Sequence, residues 1–133
     1  MKTFKILMII GVVSVGLLSF TKMVQEEWKV PAKYQTMKNP VEASKANIDL
    51  GKTLYAKHCK SCHGKEGLGD GPKAEEVDGD LGDFSSKKFQ AQTDGALFYK
   101  SYIGRDDMPN YEKKMPEKDD VWAIVHYMRT LKK

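Results

Sequence analysis

Residues 59–63 read C-K-S-C-H, and the two cysteines of this segment are the only cysteines in the chain. Cysteines at this spacing lie about one helical turn apart, so both can reach vinyl groups on the same porphyrin edge. A histidine that follows at once comes under the metal and binds the iron as proximal ligand. The motif therefore predicts one covalently attached c-type haem, with thioethers at Cys59 and Cys62 and with His63 as an axial ligand.

Two other chemistries use a similar pair of cysteines. A thioredoxin-like pair needs a thiolate of lowered pKa at a helix N-terminus. Here the helical pattern of residues 44–58 places the pair at the C-terminal end of a helix, whose partial negative charge disfavours a thiolate. A structural zinc site needs four ligands, so His58 or His126 would have to join the three in the motif. Because His58 adjoins Cys59, its side chain would point elsewhere, and haem attachment is favoured.

The first 21 residues have the pattern of a secretory leader. Lys2 and Lys5 precede a nearly unbroken apolar run over residues 6–20. A run of about fifteen residues is short for a membrane span, which favours a signal peptide. No good small-x-small cleavage site follows, however, so an uncleaved N-terminal anchor stays open. In both cases we expect export to the periplasm, either as a soluble protein or held at the membrane.

Two further segments follow the leader. Residues 22–43 are polar, contain Pro31 and Pro40, and lack a sustained helical period, so we interpret them as an extended linker. Trp28 and Tyr34 are its large anchors. The segment either holds the domain away from a membrane or packs on the domain surface. Residues 44–133 then form one small domain, whose core needs the reinforcement that a buried porphyrin supplies.

The domain has helix signals and almost no strand signal. Ser44 precedes the first helical pattern, and Thr93 or Asp94 can cap a second helix that ends at Gly104. The last helix is predicted to start at Pro116, with an apolar stripe formed by Val121, Ile124, Val125, Met128 and Leu131. Residues 64–82 are rich in glycine and form a long loop. These signals predict an all-α fold of about three to five short helices around one haem.

A series of motifs flanks the cysteine segment in a fixed order. G-K-T-L-Y precedes it, and G-x-G-D-G-P-x-A, T-D-G-A-L-F-Y, M-P-N-Y and V-W-A-I-V-H-Y-M-R-T-L follow it. Through this series, residues 47–131 resemble the class I monohaem cytochromes c of bacteria. The resemblance implies that the first and last helices cross, with Gly51 and Tyr55 against Trp122 or Tyr127. It also implies a one-electron carrier, not an enzyme, that serves periplasmic or membrane redox partners such as a terminal oxidase or another respiratory complex.

The resemblance implies further details of the iron site. The carbonyl of Pro72 is expected on the outer nitrogen of the proximal histidine, and a methionine is expected as sixth ligand. Met108 and Met115 are both followed by proline. Position favours Met108, which lies in a loop closed by Gly104 and Pro109 and has the family's distance from the final helix. Met115 is expected to staple the N-terminus of that helix.

The remaining candidates are assigned to packing or to the surface. Met128 lies on the apolar stripe and is expected in the core. His58 and His126 are expected to be exposed or partly buried and to bind no iron. Two alternatives to electron shuttling stay open. One is a five-coordinate haem that binds a gas or a small substrate, and the other is a haem subunit of a larger oxidoreductase complex.

Charge gives a weaker indication of partners. The formal net charge is +4 at pH 7, and two of the lysines behind it belong to the predicted leader, so the strong basic field of a nucleic-acid-binding protein is absent. Six lysines are near the haem-bearing segments in sequence. They either ring an exposed haem edge that meets an acidic redox partner or form an ordinary solvated surface. These are Lys57, Lys60, Lys65, Lys73, Lys113 and Lys114.

Overall fold

The computed structural model describes residues 27–133, so the leader predicted at residues 1–21 lies outside the described part. Within this part the chain forms six α-helices, one 3₁₀ turn at Ala74–Glu76 and no strand. The all-α prediction is confirmed; the helices outnumber the expected three to five because three of them are single turns. The helices are α1 (Ala32–Gln35), α2 (Lys45–His58), α3 (Lys60–His63), α4 (Lys87–Gln90), α5 (Asp94–Ile103) and α6 (Lys118–Thr130).

Two of the predicted helix starts are capped as expected. The Ser44 hydroxyl accepts a hydrogen bond from the Asn47 N–H at 3.2 Å, and the Thr93 hydroxyl accepts one from the Ala96 N–H at 3.1 Å. The last helix starts at Lys118, two residues later than predicted. Residues 111–115 form a separate turn before it, since the Met115 N–H donates to the carbonyl of Tyr111, and this turn keeps Pro116 outside the helix.

Helices α2 and α6 touch through their backbones. A Cβ atom at Gly51 would lie 2.0 Å from the carbonyl oxygen of Ala123, so only glycine permits this approach. The Tyr55 ring lies 5.1 Å from the Tyr127 ring, as expected for the crossing. Trp122, the other aromatic residue proposed for the crossing, stacks on Phe98 of α5, with 4.2 Å between ring centroids.

Helix α5 is tied to α6 by polar contacts as well as by the core. The guanidinium of Arg129 donates to the Asp94 carboxylate at 2.6 Å and to the carbonyl oxygen of Gln92 at 2.6 Å. Met128, one residue earlier, is 3% exposed, which confirms it as a core residue. The two helices thereby hold one wall of the cavity described below.

The described residues 27–43 pack on the domain surface, which is the second of the two arrangements left open by the sequence for residues 22–43. The one-turn helix α1 interrupts the extended backbone that was predicted there. The Asn39 amide donates to the carbonyl of Trp122 at 3.0 Å, and His126 Nε2 lies 2.7 Å from the carbonyl oxygen of Val41. These contacts join residues that are far apart in sequence, so the local hydrophobic period could not predict that residues 27–43 lie on the domain. None of the helices in residues 27–133 is long and apolar enough to span a bilayer.

Candidate haem-binding site

One cavity collects the side chains that the sequence singled out for haem. Cys59, Cys62, His63 and Met108 all line it. The first three come from the junction of α2 and α3, and Met108 comes from the loop after α5. The apolar wall of the cavity is formed by Leu81, Phe84, Phe89, Leu97 and Met128. This donor set and this apolar wall fit a haem, which Cys59 and Cys62 could hold through thioethers and whose iron His63 and Met108 could bind.

The cysteine motif is held by a tight local fold. Cys59 ends α2, with its N–H bonded to the carbonyl of Tyr55, and the His63 N–H bonds back to the carbonyl of Cys59 at 3.0 Å. The loop that follows folds over this turn. A Cβ atom at Gly71 would lie 2.4 Å from the carbonyl oxygen of Ser61, so a glycine is required at this close approach.

The environment of the cysteines opposes thiolate chemistry. Burial, with a smaller contribution from the neighbouring Cys62, raises the pKa of the Cys59 thiol to about 12. A redox-active or nucleophilic cysteine needs the opposite shift. Residues 27–133 also contain no group of three or more His, Cys, Asp or Glu side chains arranged to hold a metal ion. The described residues therefore contain neither a thioredoxin-like redox site nor a structural zinc site.

The carbonyl that orients the His63 ring belongs to Leu81. Nδ1 of His63 lies 3.1 Å from the carbonyl oxygen of Leu81, so the prediction of Pro72 in this role is wrong. Pro72 is exposed, and its neighbours Gly71 and Lys73 donate their N–H groups to the carbonyls of Cys62 and Ser61. The loop therefore lies against α3 at Pro72 and reaches the histidine ring only nine residues later.

This contact determines the chemistry of the imidazole. A carbonyl oxygen only accepts, so Nδ1 carries the proton and Nε2 keeps a lone pair for a metal. Burial lowers the pKa of His63, and the hydrogen bond to Leu81 opposes that shift to a smaller extent. The ring also packs against Phe84, with 4.7 Å between centroids. The result is a neutral imidazole with a fixed tautomer, which is the form that binds iron.

The two Met-Pro pairs differ in their surroundings. Met108 is half-buried and lines the cavity, and two backbone hydrogen bonds of 2.9 Å with Arg105 hold its loop. Gly104 permits this loop: its φ is +73°, and a Cβ atom there would lie 2.3 Å from the Met108 carbonyl oxygen. Met115 is 3% exposed, packs in the core and is not part of the cavity lining. The geometry thus favours Met108 over Met115 as a ligand.

Of the other two histidines, His58 lines the cavity and His126 does not. His58 is half-buried and lines the cavity, where its ring packs edge-on against Tyr111 at 5.6 Å. Burial first, and then the nearby charges of Lys57 and Lys114, lower its pKa. His126 is half-buried on the other side of α6, where its ring nitrogen contacts the carbonyl of Val41. The position of His58 in the cavity lining was not expected.

The lining also contains residues that the sequence did not single out for the site, among them Trp28, Lys100 and Arg105. Trp28 precedes the domain that the helical pattern defines, so no periodic signal connects it to the site. Arg105 had a weak signal, since it lies between Gly104 and the Met108-Pro109 pair. Lys100 sits in α5 among apolar residues, and only its helix register places it towards the cavity.

Comparison with protein families identifies the class. The model of the cytochrome c family matches residues 48–132, and the chain belongs to this family. A comparison with curated proteins gave no significant match. Because cytochromes c carry covalently attached haem, the cofactor of this chain is haem c, and the chemistry of the family is haem-based electron transfer.

Two solved structures show the likeness in three dimensions. A chain of the Kuenenia stuttgartiensis reducing HAO-like protein complex Kustc0457/Kustc0458 is 28% identical, with a TM-score of 0.62 over 82% of this chain and 53% of that chain. The KustC0563 c-type cytochrome is also 28% identical, with a TM-score of 0.53 over 62% of this chain and 98% of that one. This chain thus spans about half the length of the first of these relatives.

Proposed function

We propose that this chain is a one-electron carrier whose haem is attached through Cys59 and Cys62 and whose iron is held by His63 and Met108. The observation that carries this proposal is the presence of all four side chains in the lining of one cavity. Bound haem supplies reversible one-electron chemistry between ferric and ferrous iron. With both axial positions filled, no open position is left for a substrate, which distinguishes a carrier from a gas-binding or catalytic haem domain.

The protein's own residues have three tasks in this function. The carbonyl of Leu81 fixes the tautomer and the ring orientation of His63. The loop closed by Gly104 holds Met108 at the cavity by backbone hydrogen bonds. The buried wall that includes Phe84 and Leu97 excludes water. An apolar environment of low dielectric constant destabilises the extra positive charge of ferric iron and so would raise the reduction potential. Together these features favour electron exchange with little rearrangement.

The first experiment tests axial ligation in the wild-type protein. We expect that ferrous protein shows an unchanged absorption spectrum under carbon monoxide, because methionine and histidine occupy both positions. The ferric protein should also show the near-infrared band of sulfur ligation. Immediate binding of carbon monoxide by the native ferrous protein would instead establish the alternative, a five-coordinate domain for a gas or a small substrate.

We further propose that the chain acts in the periplasm, delivered by the leader predicted at residues 1–21, either free or held at the membrane by that segment if it is not removed. Its partners are redox proteins, with a terminal oxidase or another respiratory complex as candidates. The first solved relative belongs to a protein complex, as its description states. This supports the alternative in which the chain is the haem subunit of a larger oxidoreductase.

One surface of the domain suits an acidic redox partner. Among the described residues, a concave surface between the C-terminal half of α2 and the end of α6 brings together five lysines and a single glutamate. Lys60 and Lys65 belong to the set named from the sequence. The surface is lined by Lys52, Lys60, Lys65, Lys132, Lys133 and Glu66, with Tyr55 and Tyr127 at its base.

Aromatic rings connect this surface to the proximal histidine. Tyr127 lies 5.1 Å from Tyr55, Tyr55 lies 6.4 Å from Phe84, and Phe84 lies 4.7 Å from His63, measured between ring centroids. A partner that docks on the lysines would therefore sit over a continuous packed route to the iron ligand. This contiguity supports electron exchange at the surface rather than an ordinary solvated face.

Charge reversal tests this surface. The triple variant Lys52→Glu, Lys65→Glu, Lys132→Glu should slow electron exchange with ferricyanide about tenfold at low salt and speed up exchange with hexaammineruthenium, because the local field changes sign. The exposed lysines Lys38, Lys87 and Lys118 serve as a control triple with the same change in net charge. Stopped-flow rates at several ionic strengths provide the measurement. Equal effects of the two triples would remove the lysine surface from electron exchange.

A further inference from the structure

We propose that residues 27–43, here called the strap, bring Trp28 to the wall of the haem cavity and that Trp28, Lys100 and Arg105 form the site that binds the carboxylate groups of the haem. The inference rests on the proposed function, because it requires haem in this cavity. The strap precedes residue 48, where the match to the cytochrome c family begins, so it is an addition to the part of the chain that the family model describes.

The strap is positioned on α5 by contacts that need a specific residue. A Cβ atom at Gly95 would lie 1.9 Å from the carbonyl oxygen of Tyr34, so the strap backbone approaches α5 at a distance that only glycine permits. The Tyr34 ring packs on Tyr99 at 4.7 Å and on Phe98 at 6.4 Å. With the contacts of Asn39 and Val41 to α6, these interactions hold the strap along its length.

The end of the strap brings Trp28 to the cavity beside two cations. The Trp28 side chain lines the cavity, and the guanidinium carbon of Arg105 lies 4.7 Å from its ring centroid. Lys100 Nζ lies 5.7 Å from the same centroid. Each cation is attracted to the indole face, so the ring places both charges at the same part of the cavity lining. The indole N–H provides a further donor for an anion.

Lys100 and Arg105 are both partly withdrawn from water beside the cavity. Burial, followed by the charge of Arg105, lowers the pKa of Lys100, and the charge of Glu27 opposes this shift. Lys100 Nζ already donates to Gln92 Oε1 at 2.5 Å, and Arg105 Nε lies 3.1 Å from the carboxylate of Asp106. The Asp106 side chain is 76% exposed, however, whereas that of Arg105 is 29% exposed. The charge that is withdrawn from water beside the cavity is therefore positive.

Other acidic side chains of the lining do not change this conclusion. Asp78, Asp80 and Asp107 also line the cavity, and all three residues are exposed. Asp107 accepts a hydrogen bond from the Asp78 N–H at 2.8 Å, so its carboxylate joins two loops. Solvated carboxylates are screened by water, and a half-buried guanidinium and ammonium are screened much less.

The chemistry of haem provides the matching anion. Thioethers hold the vinyl side of the macrocycle, and its two carboxylates project from another edge. The cysteines come from the junction of α2 and α3, whereas the cations come from α5, the loop after it and the strap. Covalent attachment at one place and charge-assisted hydrogen bonds at the other would fix the orientation of the ring in its plane.

The test measures the haem in the holoprotein rather than its activity. Lys100→Gln and Arg105→Gln should each lower the reduction potential, because loss of a nearby positive charge stabilises the ferric form. Each should also shift the resonance Raman band of propionate bending. Lys33→Gln is the matched control: Lys33 is on the strap over the Tyr34 ring at 4.9 Å, but it does not line the cavity. It should change neither quantity.

Two further variants separate charge from structure. Arg105→Lys should keep the potential near that of the wild type and still shift the propionate band, because the charge remains and the hydrogen-bond geometry changes. Trp28→Ala should lower the potential and shift the band, since the ring that positions both cations is gone.

If Lys100→Gln and Arg105→Gln behave as Lys33→Gln does, while the wild type keeps its low-spin spectrum, this inference fails and the proposed function stands. A wild type without covalent haem would overturn both.

Discussion

The double variant Cys59→Ser, Cys62→Ser should contain no haem after denaturing electrophoresis, whereas the wild-type protein keeps its peroxidase stain after acid–acetone extraction. Thioether bonds survive conditions that break axial bonds, and a serine hydroxyl forms no thioether. We therefore expect complete loss of the stain. Ser61→Ala, between the two cysteines, is the control and should stain as the wild type does. Haem that can be extracted from the wild-type protein would disprove covalent attachment.

The same variant should also lose its cooperative fold. In the holoprotein the cavity wall that includes Phe84, Leu97 and Met128 would pack on the porphyrin, and without haem these side chains would lose that packing partner. For a domain this small, removing such a partner takes away a large part of the core, as removing the metal does in small metal-dependent domains. Circular dichroism on heating measures the effect. A cooperative transition close to that of the holoprotein would show that the protein folds independently of haem.

Met108→Ala should open the sixth coordination position. The near-infrared band of sulfur ligation is expected to disappear, and the ferrous protein should bind carbon monoxide readily. The reduction potential should fall by a substantial part of the roughly 0.8 V over which axial ligands set haem potentials, since the thioether favours ferrous iron. Absorption spectroscopy and redox titration measure all three effects.

Met115→Ala is the matched control for this experiment. Because Met115 is 3% exposed and packs in the core, its truncation should cost about 2 to 5 kcal/mol of unfolding free energy and leave the spectrum unchanged. The reverse pattern would move the ligand to Met115. If neither variant changes the spectrum, the iron has another sixth ligand or none. His58, which also lines the cavity, would then be the residue to replace next.

Local signals predicted the elements of the fold well. The hydroxyl caps at Ser44 and Thr93, the stop at Gly104 and the apolar stripe of α6 each depend on residues within a few positions of one another. Such short-range rules can be applied to the local sequence alone. The prediction placed the start of α6 two residues too early. A separate turn, closed by the hydrogen bond from the Met115 N–H to the carbonyl of Tyr111, ends just before Pro116, and the helix begins at Lys118.

The sequence by itself determined the covalent chemistry and the fold class. The residues of C-K-S-C-H are neighbours in sequence, so they lie close together in space without any tertiary contact. The period of the apolar residues defines the helices. Only the tertiary structure decided which groups complete the site. It placed Leu81 rather than Pro72 on His63, Met108 rather than Met115 in the cavity, and residues 27–43 on the domain. These contacts join residues separated by long loops, whose path depends on packing and on close approaches at glycines such as Gly71 and Gly95, and no local pattern encodes that path.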